Sequence, residues 1–194
     1  LHLRDDLSGL SLEFRRRVLA RYNLPISNKI TLHASNSDLA DAVARDPLAI
    51  GIAAFSETGN ARPLTIIGVC GKQSVATPAN LRTEDYPLTT PLFLFTPARR
   101  LSVLAREFLE YSRSLAAQPV VQRAGFVDLR LQEIRVANQG QRLANAISAS
   151  NADTPVEELQ RMVGIMNGTA RLSLSFRFEQ GGTQLDAHSR SNVE

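Results

Sequence analysis

The sequence predicts an α/β fold, because segments with helical periodicity alternate with short β-branched runs. Apolar side chains recur every four positions in residues 9–22, which is the spacing of one buried helix face. Two strand-like runs, AIGIAAF and PLTIIGV, occupy residues 49–55 and 63–69, and the turn-rich SETGNAR separates them. This alternation is typical of layered structures in which helices pack against a sheet.

The segment between these two signals predicts one more strand and one more helix. NKITLHAS, residues 28–35, has the composition of a short strand. Ser35 and Ser37 are both suitable N-caps for a helix over DLADAVARD. Pro47 disfavours helical backbone at the residue before it, so we expect this helix to end at Asp46.

The middle of the chain predicts an extended segment followed by two helices and a strand. YPLTTPLFLF, residues 86–95, carries two prolines and therefore suits an edge strand or a crossing between lobes. The apolar pattern of residues 101–115 predicts a long amphipathic helix. Pro119 suits the first turn of a short helix that Gly125 ends, and FVDLRLQEI, residues 126–134, predicts a strand after it.

The C-terminal part changes composition and then returns to regular patterns. Residues 137–153 are rich in Asn, Gln, Ser and Ala, which indicates a linker or a weakly held helix. Thr154 and Glu157 form a predicted capping box at the start of a helix. RLSLSFRFE, residues 171–179, alternates polar and apolar residues, so we expect a strand whose apolar face covers an apolar surface. That face consists of Leu172, Leu174, Phe176 and Phe178.

Composition argues against nucleic-acid binding. The 194 residues include 22 basic and 19 acidic side chains, for a formal charge of +3, and no tryptophan. The clusters at residues 15–17 and 99–100 are arginines without interleaved aromatic residues, so no stacking platform for bases is predicted. We interpret both clusters as solvated helix faces.

Metal, cofactor and redox chemistry have no sequence support either. Cys70 is the single cysteine, which excludes an internal disulfide and is best interpreted as a small buried thiol. The three histidines are scattered, so we predict no metal site and no cofactor. No apolar run reaches the roughly 18–20 residues of a membrane span. A signal-peptide pattern is absent from the first residues, which we attribute to where this chain begins.

The first residues predict an anion site. RDDLSGL places Arg4, Asp6, Ser8 and Gly9 directly ahead of a predicted helix. A helix start has about four amides without intrahelical partners and a partly positive end, which favours a bound anion. The arginine adds a planar cation that matches carboxylate and phosphate oxygens two at a time. The alternative is that Ser8 caps the helix while Arg4 pairs with Asp5 or Asp6 in solvent.

Four stretches in one order resemble the second half of a phosphate-type solute-binding protein of ABC importers. They are RDDLSGL, DLADAVARDPLAIGIAAFS, YPLTTPLFLFT and EFLEYSRSLAAQPVVQRAGFVDL. RDDLSGL is similar to the family's anion-binding loop, and DLADAVARDPLAIGIAAFS is similar to the segment that contains Ala-Ile-Gly-Tyr. YPLTTPLFLFT is similar to the family's crossing between lobes, and the last stretch is similar to the closing segment that contains Gly-Phe-Val. The resemblance covers about residues 1–130 and implies a periplasmic-binding-protein type II-like fold.

That resemblance also implies roles for the loop residues. Arg4 would contact the anion's oxygens, Asp6 would hold Arg4 in position, and Ser8 and the Gly9 amide would donate hydrogen bonds. Leu10 departs from the family, which has a threonine there whose hydroxyl helps to bind the oxyanion. The family's first lobe, which would precede residue 1, supplies the other half of its clamp.

The C-terminal ARLSLSFRFEQGGTQLDAHSRSNVE resembles the opening of an outer-membrane-protein-A-like, peptidoglycan-binding domain. With the first resemblance it implies a solute-binding-protein-like region at 1–135, with the second lobe at 1–86 and the return to the first lobe at 87–135. A linker at 136–153 and a truncated α+β segment at 154–194 would follow. The implied location is the periplasm, with peptidoglycan contacts through residues beyond this chain and ABC importer membrane subunits as partners.

Two functional hypotheses follow. The first is non-catalytic binding of phosphate or a similar tetrahedral oxyanion, and the alternative is a structural or sensory cell-envelope protein whose ligand site has decayed, as Leu10 indicates. An enzyme is disfavoured because His2, His33 and His188 sit in unrelated contexts and Ser8 has no histidine partner nearby in sequence. We also expect residues 87–194 either to pair with a second copy by strand exchange or to repack, because their apolar faces need cover.

Overall fold

The computed structural model describes residues 1–68, 71–128, 130–149, 154–179, 181–186 and 189–190, so Cys70 and His188 lie outside the described residues. The strands are β1 (His2–Arg4), β2 (Thr31–His33), β3 (Ile66–Ile67), β4 (Gln73–Ser74), β5 (Glu133–Arg135) and β6 (Ala170–Leu172). The α-helices are α1 (Gly9–Phe14), α2 (Asn36–Arg45), α3 (Pro78–Arg82), α4 (Val103–Arg113), α5 (Gln118–Arg123), α6 (Gly140–Ala149) and α7 (Val156–Met166). The chain is therefore a mixed helix and strand protein, which confirms the predicted α/β class in its general sense.

Contacts divide the chain into two compact units, which we describe separately. The first unit comprises Leu1–Leu64 and Pro119–Phe126, and the second comprises Thr65–Gln118 and Val127–Glu194. In the second unit β5 pairs with β6 across the segment predicted as a linker. The domain limits given above, and the type II lobes they imply, remain predictions.

The first unit is built on parallel strands. β1 pairs with β2 in parallel, with Leu3 opposite Leu32. On its other side, His2 forms a parallel bridge with Gly51: its amide donates to the Ile50 carbonyl at 2.8 Å, and its carbonyl accepts from Ile52 at 3.2 Å. β1 therefore lies between two neighbours, and all three segments end at the same edge. The predicted strand at 49–55 is reduced to this bridge.

Helix α2 covers the sheet of the first unit closely. Leu3 and Leu39 are 0% and 1% exposed, and Ala40 is also buried. A Cβ atom at Gly51 would lie 2.7 Å from Cδ2 of Leu39 and 2.8 Å from Cγ2 of Val43. A side chain at this position would therefore force the buried Leu39 and Val43 side chains to shift, and the absence of one lets α2 pack closely on the sheet.

Local signals placed the helices of the first unit correctly. Ser35 caps α2, since its hydroxyl accepts from the Asp38 amide at 3.0 Å, and the helix stops before Asp46 and Pro47 as predicted. The predicted helix at 9–22 is also present, although it continues after α1 as a π-helical turn and then a 3-10 turn.

Helix α5 ends where the sequence predicts, at a glycine with left-handed backbone. Gly125 has a φ of 82°. A Cβ atom there would lie 2.9 Å from Cα of Ser56, which is closer than real Cβ contacts come. Gly125 is therefore required both by its conformation and by its approach to the 3-10 turn at Phe55–Glu57.

The second unit is held together by polar contacts of its helices and strands. The side-chain amide of Asn145 in α6 exchanges two hydrogen bonds with the backbone of Gln73 in β4, at 3.0 and 2.9 Å. The carboxylate of Asp128, which is fully buried, accepts from Arg82 at the end of α3 at 2.9 Å and contacts Arg130 at 3.2 Å. These contacts join segments that are far apart in the sequence.

Several predicted elements of the second unit differ from the structure. Residues 137–153 were predicted as a linker or a weakly held helix, and the structure has the helix α6 there; α7 has Pro155 rather than Thr154 as its N-cap residue. No strand is described in residues 86–95, whose composition suited either an edge strand or a crossing between lobes. Where the sequence predicts a strand over 126–134, β5 begins only at Glu133.

The predicted apolar face at 171–179 is wrong for this chain. β6 stops at Leu172, and Leu172 and Phe178 are 45% and 61% exposed, whereas Ser173 is 3% exposed. The reason is a hydrogen-bonded register: Ser173 donates its amide to the Gln132 carbonyl and accepts the Gln132 amide on its hydroxyl, both at 2.9 Å. The polar side of the segment is therefore the side that faces the rest of the unit.

Candidate functional site

Arg4 lies at the carboxyl edge of the first unit's sheet and is fixed by backbone carbonyls. It is the last residue of β1, and its side chain is 19% exposed. Its Nε donates to the His33 carbonyl at 3.2 Å and its Nη2 donates to the Ala34 carbonyl at 2.7 Å. The guanidinium therefore lies across the end of β2, and among the described residues its Nη1 has no hydrogen-bond partner.

The carboxylate beside Arg4 is Asp5 and not the predicted Asp6. Asp5 Oδ2 lies 3.5 Å from Nη2 of Arg4, and Asp5 Oδ1 accepts the Leu7 amide at 3.1 Å. Asp6 instead forms an ion pair with Arg15. The turn after β1 accounts for this exchange, because it keeps Asp5 next to the strand end while Asp6 reaches the following helical segment.

Helix α1 begins at Ser8 and Gly9 with some of its donors unused, although the Ser8 amide donates to the Asp5 carbonyl at 3.1 Å. Ser8 is the N-cap residue, with φ −68° and ψ 131°, but its side chain makes no capping hydrogen bond. Within the described part of the chain, the Ser8 hydroxyl and the amides of Gly9 and Leu10 have no partner. A Cβ atom at Gly9 would meet nothing within 4 Å, so this helix start is open.

The structure brings a second helix start to the same edge, which sequence reasoning missed. Each of the parallel strands β1 and β2 is followed by a helix, so α1 and α2 both begin at the carboxyl edge. This edge is where open parallel sheets usually bind ligands. The sequence did contain a signal, because each predicted strand is followed by a predicted helix. That order places both helix starts at one edge only if β1 and β2 pair in parallel, and the sequence does not show this pairing. Oδ1 of Asn36, at the start of α2, is buried there without a described partner.

His2 and His33, which the sequence analysis placed in unrelated contexts, contact each other. Nδ1 of His2 and Nε2 of His33 are 2.9 Å apart, and the stacked rings have centroids 5.1 Å apart. Burial and the neighbouring His33 lower the pKa of His2, and the N-terminal amine acts in the same direction while Asp46 opposes it. One ring must accept, so the contact favours at least one neutral histidine.

Within the described residues, no group of three or more His, Cys, Asp or Glu side chains is placed to hold a metal ion. The same part of the chain contains no helix that is both long and apolar enough to span a membrane.

Arg4, Ser8 and Gly9 thus belong to one loop at one edge, while Asp6 is engaged elsewhere. The described contacts include none that join the Arg4 side chain to Ser8 or Gly9. An anion held here would be met by one fixed guanidinium, one hydroxyl and the amides of a helix start, which is a set of hydrogen-bond donors. Comparisons with protein-family models, curated proteins and solved structures found no match to this chain.

Proposed function

We propose that this chain binds phosphate or a similar tetrahedral oxyanion at the carboxyl edge of β1 and β2, without performing chemistry. The observation that carries the proposal is the fixed position of Arg4. Its guanidinium is largely buried and is oriented by the carbonyls of His33 and Ala34, so little ordering is left for a ligand to impose.

The remaining donors suit an oxyanion better than a cation. Nη1 of Arg4, the Ser8 hydroxyl and the Gly9 amide are donors without described partners, and the nearby Asp5 carboxylate already accepts from Arg4 and Leu7. Hydrogen bonds to a charged group contribute about 1.5–3 kcal/mol, so the arginine alone accounts for roughly 10- to 150-fold in affinity.

The wider setting is part of the proposal. The resemblance to phosphate-type solute-binding proteins and to the opening of a peptidoglycan-binding domain supports a role in the periplasm. There the chain would present the anion to the membrane subunits of an ABC importer while its parent protein contacts the cell wall. Self-association of residues 87–194 belongs to the same proposal, since Leu92 and Phe95 are 76% and 93% exposed.

Calorimetric titration with phosphate and sulfate tests the proposal. We expect Arg4→Gln to weaken phosphate binding at least tenfold. Arg4→Lys should weaken it less, because lysine keeps the positive charge but cannot donate two parallel hydrogen bonds as the guanidinium does. Arg45→Gln is the matched control, since Arg45 is 79% exposed and only reaches Asp41 at 3.8 Å. Equal affinity of wild type and Arg4→Gln, with both folded by circular dichroism, would contradict the site.

Leu10 decides between this function and the structural alternative. Leu10→Thr adds one hydroxyl beside the free amides of α1, and one neutral hydrogen bond contributes about 0.5–1.5 kcal/mol. We therefore expect phosphate affinity to rise several-fold, up to about tenfold. A wild-type chain that binds no oxyanion, together with a Leu10→Thr variant that gains none, would favour the structural or sensory function.

A further inference from the structure

A loop of the second unit presents two adjacent carboxylates with a backbone conformation that few residues adopt. Glu84 has a φ of 56°, which is rare for a residue other than glycine. The loop follows α3, and its neighbour Asp85 is about three-quarters buried. Such strain persists only where surrounding contacts hold it, and it is enriched at ligand sites.

Asp85 is saturated by donors from three directions. Its Oδ1 accepts from Arg142 at 2.7 Å, and its Oδ2 accepts from Arg171 at 2.5 Å and from the Thr83 hydroxyl at 2.8 Å. Burial by itself would raise the pKa of Asp85, but the hydrogen bonds from Arg171 and Thr83 and the charges of both arginines hold it below its usual range. The carboxylate is therefore charged and has little capacity left for a ligand.

A third arginine completes the cluster. Nη2 of Arg177 contacts Glu84 at 3.0 Å, and its Nε lies 3.6 Å from Asp186. With Asp186 included, three arginines face three carboxylates. The cluster therefore has no net charge, and a ligand would be bound by hydrogen bonds from individual N–H groups.

The three arginines, with Glu84 and Asp85, line an open depression of about 410 Å³, within the roughly 300–1,000 Å³ of small-molecule sites. Leu174 and Phe176 form its apolar part, and Phe176 is 48% exposed. Arg142 and Arg177 are about half exposed. Among the described residues, Nε and Nη2 of Arg142 and Nη1 of Arg177 have no hydrogen-bond partner.

We propose that this depression, which we call the Arg142–Arg177 site, binds a small carboxylate that carries an apolar group. The free guanidinium N–H groups of Arg142 and Arg177 match the two oxygens of a carboxylate, and the exposed ring of Phe176 offers the apolar group a contact. The two carboxylates that line the depression favour a cation less, because Asp85 is already bound by three donors and Glu84 is paired with Arg177 at 3.0 Å. The site shares no residue with the oxyanion site of the first unit, so either can fail without the other.

The test uses three probes of related shape: phenylacetate, acetate and phenethylammonium. In nuclear magnetic resonance titrations of the whole chain we expect phenylacetate to shift signals of residues 174–177. Acetate should bind at least fivefold more weakly because it lacks the ring, and phenethylammonium should not bind there. Equal binding of the cation, or shifts confined to other residues, would overturn the proposal.

Variants separate this site from structural effects of the ion pairs. Arg142→Gln and Arg177→Gln should each weaken phenylacetate binding about fivefold. Arg161→Gln should leave it unchanged, because Arg161 is 67% exposed on α7 and, among the described residues, pairs with Glu158 alone. Should Arg142→Gln not fold, Arg142→Lys keeps the contact with Asp85 and should still weaken binding through loss of the fork. Unchanged affinity in the folded variants would refute the site. Arg4→Gln should leave phenylacetate binding intact, so the result is independent of the proposed phosphate function.

Discussion

Asp128→Asn is expected to destabilise the protein strongly, because it breaks a buried ion pair from one side. The Asp128 side chain is 0% exposed, and Arg82, which donates to it at 2.9 Å, is 10% exposed. Nη1 of Arg82 also donates to the neutral Oε1 of Gln132 at 2.7 Å, and its Nε is buried without a partner among the described residues, so the hydrogen bond that remains does not balance the charge of the guanidinium. Removing one member of a buried pair costs about 3–5 kcal/mol.

The size of this loss can be compared with the stability of the whole chain. The free energy of unfolding of a typical domain is about 5–15 kcal/mol, so the substitution removes a fifth or more of that stability. At roughly 2–4 °C per kcal/mol for a chain of this size, the unfolding midpoint should fall by about 6–20 °C. Arg130, which lies 3.2 Å from Asp128 but is 38% exposed, contributes less because water replaces its partner.

The assay is urea and thermal unfolding followed by circular dichroism, with Glu158→Gln as the control. Glu158 and Arg161 form an exposed pair in α7 with side chains 56% and 67% exposed, and such pairs contribute about 0.3–0.5 kcal/mol. We expect Glu158→Gln to be nearly neutral. A loss below about 1 kcal/mol for Asp128→Asn would refute the reasoning that this pair anchors α3 to the segment before β5.

Three further outcomes follow from the packing and electrostatics. Leu39→Ala should cost about 2–5 kcal/mol in unfolding free energy, whereas Leu48→Ala, at a site 91% exposed, should stay within about 0.5 kcal/mol. By thermal unfolding, Gly125→Ala should destabilise, since its φ is 82°, while Gly164→Ala in α7, where a Cβ atom meets nothing within 4 Å, should stabilise by roughly 0.5–1 kcal/mol. The pKa of Asp85 is lower in the folded state than in the unfolded chain, so its ionised carboxylate stabilises the fold. This stabilisation is fully present above the unfolded-state pKa of about 3.9 and is lost as the pH falls through the folded-state pKa. Urea titrations between about pH 3 and 7 should therefore show Asp85→Asn approaching wild-type stability only at the acid end; a constant difference would contradict this assignment.

Helices were predictable from sequence because their signals are local. Ser35 and Pro47 flank α2 and determine where it begins and ends. Gly125 determines the end of α5 in the same way. Strand limits were less predictable, because a strand exists only where a partner pairs with it. The alternation of residues 171–179 predicted a long strand, but pairing with β5 stops at Leu172 and turns Ser173 inward.

The candidate site was predictable in part. Its residue types, an arginine, a serine and a glycine ahead of a helix, follow from the loop sequence, and the structure places them at one edge. The pairing of Asp5 rather than Asp6 with Arg4 depends on the path of the turn, which the residue types alone do not specify.

The Arg142–Arg177 site could not be predicted at all. Asp85 meets Arg142 and Arg171 across 57 and 86 positions of sequence, and no local pattern marks such a contact.

The central claim is that the start of α1 and Arg4 together bind a tetrahedral oxyanion. A phosphate titration of the ¹⁵N-labelled chain, followed through amide signals, tests it most directly, because the Gly9 and Leu10 amides have no partner among the described residues. We expect saturable shifts of the Gly9 and Leu10 amides and of Nε of Arg4, and we expect the amide shifts to be lost in Arg4→Gln. Saturation that moves only signals near Arg142 and Arg177, or no shift at residues 8–10 at all, would contradict it.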